Sequence, residues 1–484
     1  MTARVAPSPR HLALRALSLV ALWAGFYVLG AGMAIALLWV PWAQIEYGSG
    51  PDVGGCLAAL GALWLLWGLR PRFHRSTERD VPLPLGRHPK LHALVADVAR
   101  RAGHPIPNEL HLLPQANAFA GQRRAFLRRG ESTVGIGLPY LAWLDRGGVE
   151  AIIAHELGHH ISGDVRFGPW VHRMRALMAL ALDHLEGSGF WLDLPFVGYA
   201  RGFLRYSLSM SRAQEAAADA VSARVAGAQA AARALVTTEE RGMPWEVYLR
   251  TEIEPMLESG FLPPLLEGFR HFEAALKCAR EPREKPANPT SKSSQFDTHP
   301  TLKERLHALG IAQPTPTEAS PALDLLDATH EAEEYVLRSM LQNKTRPLKP
   351  LAWEAAGPDL WVPRFRERLQ PHERALARVT PESLPTVLSS IDTWAERLRT
   401  GLALFSPQAQ RRHVAATFGT WFAIALVDRG FRLEALPGWP VRALRGELVV
   451  EPLAEVCALF DGKVSAEQWR ARCAALSRGS APTA

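Results

Sequence analysis

The chain has 484 residues, 48% of them hydrophobic and 21% charged, with a formal net charge of +7. This composition excludes a disordered chain and gives room for two or more domains of ordinary size, each of about 100–200 residues. The basic balance permits a nucleic-acid partner, but the arginines are spread along the chain and no nucleic-acid module is present, so none is expected. The four cysteines, Cys56, Cys278, Cys457 and Cys473, are far apart. They suggest neither a disulfide framework nor a cysteine metal site.

The first predicted element is apolar. Ala16 to Val40 carries no charge and exceeds the roughly 20 residues that cross a bilayer as a helix. A signal peptide would have a core of only about 7–15 residues ending at small residues, whereas this run ends in LWVPW. A second apolar run, Val53 to Leu69, lies at the lower limit for a span. Arg4, Arg10 and Arg15 precede the pair and Arg70, Arg72, Arg75 and Arg79 follow it, with only Glu46 and Asp52 between. Positive charge stays on the cytoplasmic side. Residues 1–80 are therefore expected to be a two-helix anchor in the cell membrane, with the rest of the chain in the cytosol.

After the anchor, RHPKLHALVADVARRAGHP (87–105) reads as an amphipathic helix with Leu91, Leu94, Val95 and Val98 on one face and a stop at Gly103 to Pro105. Two short strands follow, one from Glu109 and one from Ser132, joined by a basic loop. Next come Tyr140 to Leu144 and a helix containing AIIAHELGHHISGD (151–164). The order of helix, small sheet and helix indicates an α+β domain.

On a helix, residues four apart project from one face, so His155 and His159 can bind one metal ion together, with Glu156 beside them. Bound zinc lowers the pKa of a water ligand, and a neighbouring carboxylate can take the water proton and pass it to a leaving amine. A catalytic zinc needs a third protein ligand. The H-E-x-x-H-x-x-G-x-x-H route is closed, because the later positions are Ser162 and Val165. The alternative is a glutamate from another helix. SRAQEAAADAVSARVAG (211–227) is strongly helix-forming and presents Glu215 and Asp219 four apart. Glu215 can reach a metal while Asp219 orients a ligating histidine; a solvated helix face is the ordinary role of either carboxylate alone.

Downstream, Glu281 to Ser294 is polar and proline-rich, and Ala312 to Pro321 has the composition of an interdomain linker. Helical patterns dominate from 322 to 484, including HVAATFGTWFAIALVDRG, which is too short and too closely flanked by charge to span a membrane. The six tryptophans of this region are expected in its core.

HELGHHISGD, SRAQEAAAD and THPTLKERL, in this order, resemble the HtpX-like and CAAX prenyl endopeptidase-like gluzincin family of membrane metalloproteases. The resemblance runs from about Arg87 to Leu309. It implies one zinc ion per chain held by His155, His159 and Glu215, Glu156 as general base and acid, and Asp219 in support. It places His299 near the substrate, where an imidazole can donate to a developing oxyanion, and likens Asn117 to Ala120 to an edge strand that holds an extended polypeptide substrate. Pro300 and His299 have a plain helix start as their alternative role, and Arg305 can pair with the acidic residues or face solvent. One departure is clear. Between the zinc helix and Glu215, the apolar stretch is interrupted by Asp183, His184, Glu186 and Asp193, and a charge at a bilayer centre costs at least about 2.5 kcal/mol. An interfacial hairpin is expected there.

The expected architecture is then an anchor (1–80), a zinc metallopeptidase domain (81–311) and a helical domain (322–484) outside the resemblance. The expected activity is endopeptidase action on polypeptides at the cytosolic membrane face, possible roles including protein quality control. A non-catalytic, zinc-stabilised scaffold and a prenyl-protein processing enzyme are the alternatives. No signature of oligomeric state is present.

Overall fold

A computed structural model describes residues 9–48, 50–69, 87–125, 128–161, 174, 178, 194–280, 300–341, 346–398 and 407–478. Their contacts group into two units, one of residues 1–240 and 287–329 and the other of residues 241–286 and 330–484.

The first unit begins with two apolar helices, α1 (Pro9–Glu46) and α2 (Val53–Leu69). The helix thus continues through Pro41, beyond the expected end at Val40. Among the described residues, Leu17–Glu46 is the one helical stretch long and apolar enough to cross a membrane, and α2 is shorter. Among the described residues, the large exposed apolar side chains lie between Leu17 and Trp67, apart from Ile106, Met243 and Val449. An apolar surface of this extent needs a covering phase. Trp39, Trp42 and Tyr47 cluster near one end of α1 and are all exposed, the pattern of residues that sit at a membrane–water boundary.

Helix α3 (Pro89–Ala102) buries Leu91, Leu94, Val95 and Val98 and stops at Gly103, whose φ of 81° makes the left-handed cap that glycine adopts without a Cβ clash. Strands β1 (Glu109–Leu113), β2 (Ala118–Ala125) and β3 (Arg128–Gly137) then form one sheet in the order β1-β3-β2. β1 runs parallel to β3 and β2 antiparallel to it. The expected basic loop between two strands is therefore itself a hairpin. Its arginines and glycines lack the alternating apolar pattern because β2, at the sheet edge, has only one hydrogen-bonded neighbour.

Helices α4 (Leu138–Trp143) and α5 (Arg146–Ile161) follow. Asp145 caps α5 by accepting from the Gly148 N–H at 2.7 Å, satisfying one of the donors that a helix start leaves open. Of the segment expected as an interfacial hairpin, 165–205, only Met174, Met178 and the residues from Leu194 onward are described. From Leu194 a single helix, α6 (Leu194–Ala226), runs 33 residues, about 50 Å at 1.5 Å per residue. Its first half packs Phe196, Ala200 and Phe203 with Phe26 and Leu65 of the apolar helices, and the Tyr199 hydroxyl donates to the Leu22 carbonyl at 2.7 Å. Its second half lies along α5. One helix thus joins the two apolar helices to the centre of the first unit. Helices α7 (Ala228–Tyr248) and α8 (Leu302–Ala308) follow.

The contact units divide the chain after residues 240, 286 and 329. Residues 312–329 stay with the first unit: the Thr315 N–H donates to Gln229 at 2.9 Å, and the Ala322 N–H to the Leu144 carbonyl at 2.9 Å. Residues 241–286 belong with the later chain because aromatic rings draw them together. Tyr248 packs on Phe269, Phe272 and Trp353, the Trp353 indole donates to the Pro264 carbonyl at 2.9 Å, and Phe261–Leu262 pairs with Lys349–Pro350 as parallel strands. A second core surrounds the helix Pro407–Val427, burying Val414, Phe418 and Phe422 with Trp394 and Trp469. This is why that apolar helix needs no membrane. The region expected as helical also contains an antiparallel sheet of Arg432–Glu434, Arg442–Arg445 and Leu448–Val450.

Candidate metal centre

Helix α5 carries His155 and His159 one turn apart, and α6 brings Glu215 to them. The two imidazole Nε2 atoms are 3.1 Å apart, and the Glu215 carboxylate oxygens lie 3.5 Å from His155 Nε2 and 3.7 Å from His159 Nε2. This approach requires close helix packing. A Cβ on Gly158 would stand 2.9 Å from the Ala218 Cα, so glycine is what lets α6 come close enough. The Ser222 hydroxyl fastens the seam by donating to the Ala151 carbonyl at 2.8 Å.

The donor chemistry fits a zinc ion. Ligand bonds of about 2.1 Å in a tetrahedron place ligand atoms about 3.4 Å apart, and the three observed separations bracket that value. His155, His159 and Glu215 are also the one cluster of metal-capable side chains among the described residues.

Charged side chains surround the cluster. Asp219 is 4% exposed; it accepts from His155 Nδ1 at 3.0 Å and from Arg305 through two bonds, Nη2 at 2.6 Å and Nε at 2.9 Å. Burial alone would raise the Asp219 carboxyl, but the Arg305 and His155 hydrogen bonds outweigh it and hold it below its ordinary value. Burial would lower His155, yet the bonds to Asp219 and Glu215 lift it to about 9. With the Nδ1 proton held by Asp219, Nε2 is the nitrogen that faces the cluster and would give up its proton to a metal. For Glu156, burial is the largest influence and raises the carboxyl above its ordinary value, opposed by His155 and His159.

The cavity beside these residues has a volume of about 490 Å³. Asn117 and Ala118, at the start of edge strand β2, line it together with His155, Glu156 and His159. The strand start is fixed by the Gly137 N–H donating to the Asn117 carbonyl at 2.8 Å and by the Tyr140 hydroxyl donating to the Ala116 carbonyl at 2.8 Å. Arg305 enters from α8, whose start is a reciprocal cap: Thr301 accepts from the Glu304 N–H and Glu304 from the Thr301 N–H. Thr301, not Pro300, is therefore the capping residue. His299 lies outside the described residues. Sequence reasoning overlooked the α7 wall of the cavity, Leu235, Thr238 and Glu239; nothing in their local pattern separates them from any other helix face.

Two imidazoles and a carboxylate from two helices, with a glutamate on the histidine helix, define a metalloprotease-type centre. Comparison with known proteins agrees. Residues 86–311 match the model of peptidase family M48. A "Protease HtpX homolog" of Aquifex aeolicus is 31% identical over 185 residues, covering 33% of this chain and 58% of the relative. Homologs so named from Pyrobaculum calidifontis and Trichormus variabilis are 28% and 30% identical over 235 and 251 residues, covering 46% and 47% of this chain and 67% and 82% of those relatives. No solved structure matches. The chain belongs to the HtpX-like metalloproteases of peptidase family M48.

Proposed function

We propose that the chain is a membrane-anchored zinc endopeptidase that hydrolyses polypeptides presented in extended form at the cytosolic face of the cell membrane. The observation that carries this reading is the convergence of His155, His159 and Glu215 in a cavity that also holds Glu156 and the start of an edge strand. Bound to these three residues, zinc would supply an acidified water and polarise the scissile carbonyl. The chain's own residues do the rest. The Glu156 carboxylate takes the water proton and hands it to the leaving amine, its burial bringing its basicity nearer to that task. Asp219 holds the His155 ring in one tautomer, and Arg305 keeps Asp219 ionised within the buried cluster. Asn117 and Ala118, at the start of the edge strand, line the path of an extended substrate, and His299 donates to the oxyanion.

The anchor comprises α1 and α2 as two spans, with arginines at both outer ends retained in the cytosol. Residues 81–311 supply the peptidase, 322–484 an appended domain, and substrates include damaged membrane proteins.

The test is Glu156→Gln in the full chain. Zinc is expected to remain at one per chain, while casein hydrolysis falls by roughly 10²–10⁴, the usual contribution of a general base. Undiminished cleavage would remove Glu156 from its role. A zinc-loaded wild type that cleaves neither unmodified nor prenylated peptides would turn the assignment toward a zinc-stabilised scaffold.

A further inference from the structure

In the second unit, residues between 374 and 397 border an open cavity of about 670 Å³. Three arginines line it, Arg374, Arg378 and Arg397, and no carboxylate does. Arg374 lies on the short helix Glu373–Leu376 and Arg378 on the turn that follows it, and both line the same cavity. Arg397 comes from a different helix, Ile391–Arg397, and its guanidinium is set over the Trp394 ring at 5.2 Å from the centroid. Trp394 is 8% exposed and belongs to the apolar core, which gives that guanidinium a firm base.

All three arginines are exposed, and among the described residues the wall contains nothing anionic to offset their charge. A single carboxylate would neutralise one. A phosphate ester presents several oxygens at the spacing of the guanidinium fork and takes more than one arginine at once. The cavity falls in the range of about 300–1,000 Å³ that small-molecule sites occupy, larger than an inorganic ion alone needs. Val387 and Trp394 add apolar wall, which suits the carbon-bearing part of an ester. We propose that this cavity binds an organic phosphate, its phosphoryl oxygens held by Arg374, Arg378 and Arg397. A phospholipid headgroup and a soluble phosphate ester share that chemistry.

Binding is tested calorimetrically on the full chain in a zwitterionic detergent, with glycerol phosphate, dihexanoyl phosphatidylglycerol below its micellar concentration, and dihexanoyl phosphatidylcholine as probes. Saturable binding of one equivalent of either anionic probe is expected, weakening as salt rises. Arg374→Gln combined with Arg378→Gln is expected to lower affinity about tenfold or more, as loss of charge-assisted bonds does. Arg397→Gln should do the same, and single Arg374→Gln, an exposed position, serves if the double variant melts early. Binding of both anionic probes identifies a soluble ester as sufficient, and binding of phosphatidylglycerol alone identifies a lipid source. Absence of saturable binding by both, equal binding of phosphatidylcholine, or unchanged affinity in the variants would overturn the proposal.

Discussion

The seam between α5 and α6 and the core around the helix Pro407–Val427 are both made by long helices, yet they bury opposite kinds of group. The seam encloses Glu215 and Asp219, at 5% and 4% exposure, with His155 and Arg305 around them. The other core encloses Val414, Phe418, Phe422 and Leu426, each fully buried. Its polar exceptions, Thr417 and Thr420, donate to carbonyls of their own helix at 2.9 Å. Apolar packing can be assembled from many volumes and shapes. A buried carboxylate is tolerable only if each partner is present, so the seam is the less forgiving of the two.

The sharpest break in that comparison is Glu215→Ala. Metal content per chain is expected to fall to background by elemental analysis after dialysis, since a catalytic zinc needs three protein ligands. Unaltered metal content would refute the third ligand. Next in size are two variants of similar expected cost and different cause. Arg305→Ala leaves Asp219 charged and buried, a loss of about 3–5 kcal/mol, and the added change Asp219→Asn should recover part of it. Phe418→Ala opens a cavity at a cost of about 3–5 kcal/mol, while the zinc bound per folded chain stays unchanged. Denaturant melts read alongside metal content separate the two.

Smaller effects sharpen the comparison further. Gly158→Ala drives a methyl to 2.9 Å from the Ala218 Cα and is expected to cost about 1–3 kcal/mol as overpacking, with zinc affinity reduced because α6 is pushed away. A change of pH tests the same seam without a substitution. In the metal-free chain His155 is raised from 6.5 to about 9, so its stabilising contribution is complete below 6.5 and lost as pH rises through about 9. Zinc must displace that proton, and competition titrations should show affinity rising about tenfold per pH unit across this window. A flat profile would mean that His155 is already neutral.

Much of the seam was legible beforehand because its signals are local. His155 and His159, and likewise Glu215 and Asp219, are four apart on helix-forming sequence, and a helix turns that spacing into a shared face. The amphipathic pattern of α3 and its glycine stop were equally readable. Strand β2 was not, since an edge strand rich in arginine and glycine lacks the alternation by which strands are recognised. Arg305 had two open roles, and only Asp219, 86 residues away, chose between them.

The sequence by itself determined which side chains share a helix face, where apolar stretches lie and where α3 stops, because these depend on residues a few positions apart. Only the tertiary structure decided that α5 and α6 meet at Gly158, that β2 closes the sheet beside the cavity, and that residues 241–286 join the later chain. Those outcomes rest on contacts between distant segments, such as Tyr248 with Trp353, whose free energy comes from surfaces that exist only once the chain has folded.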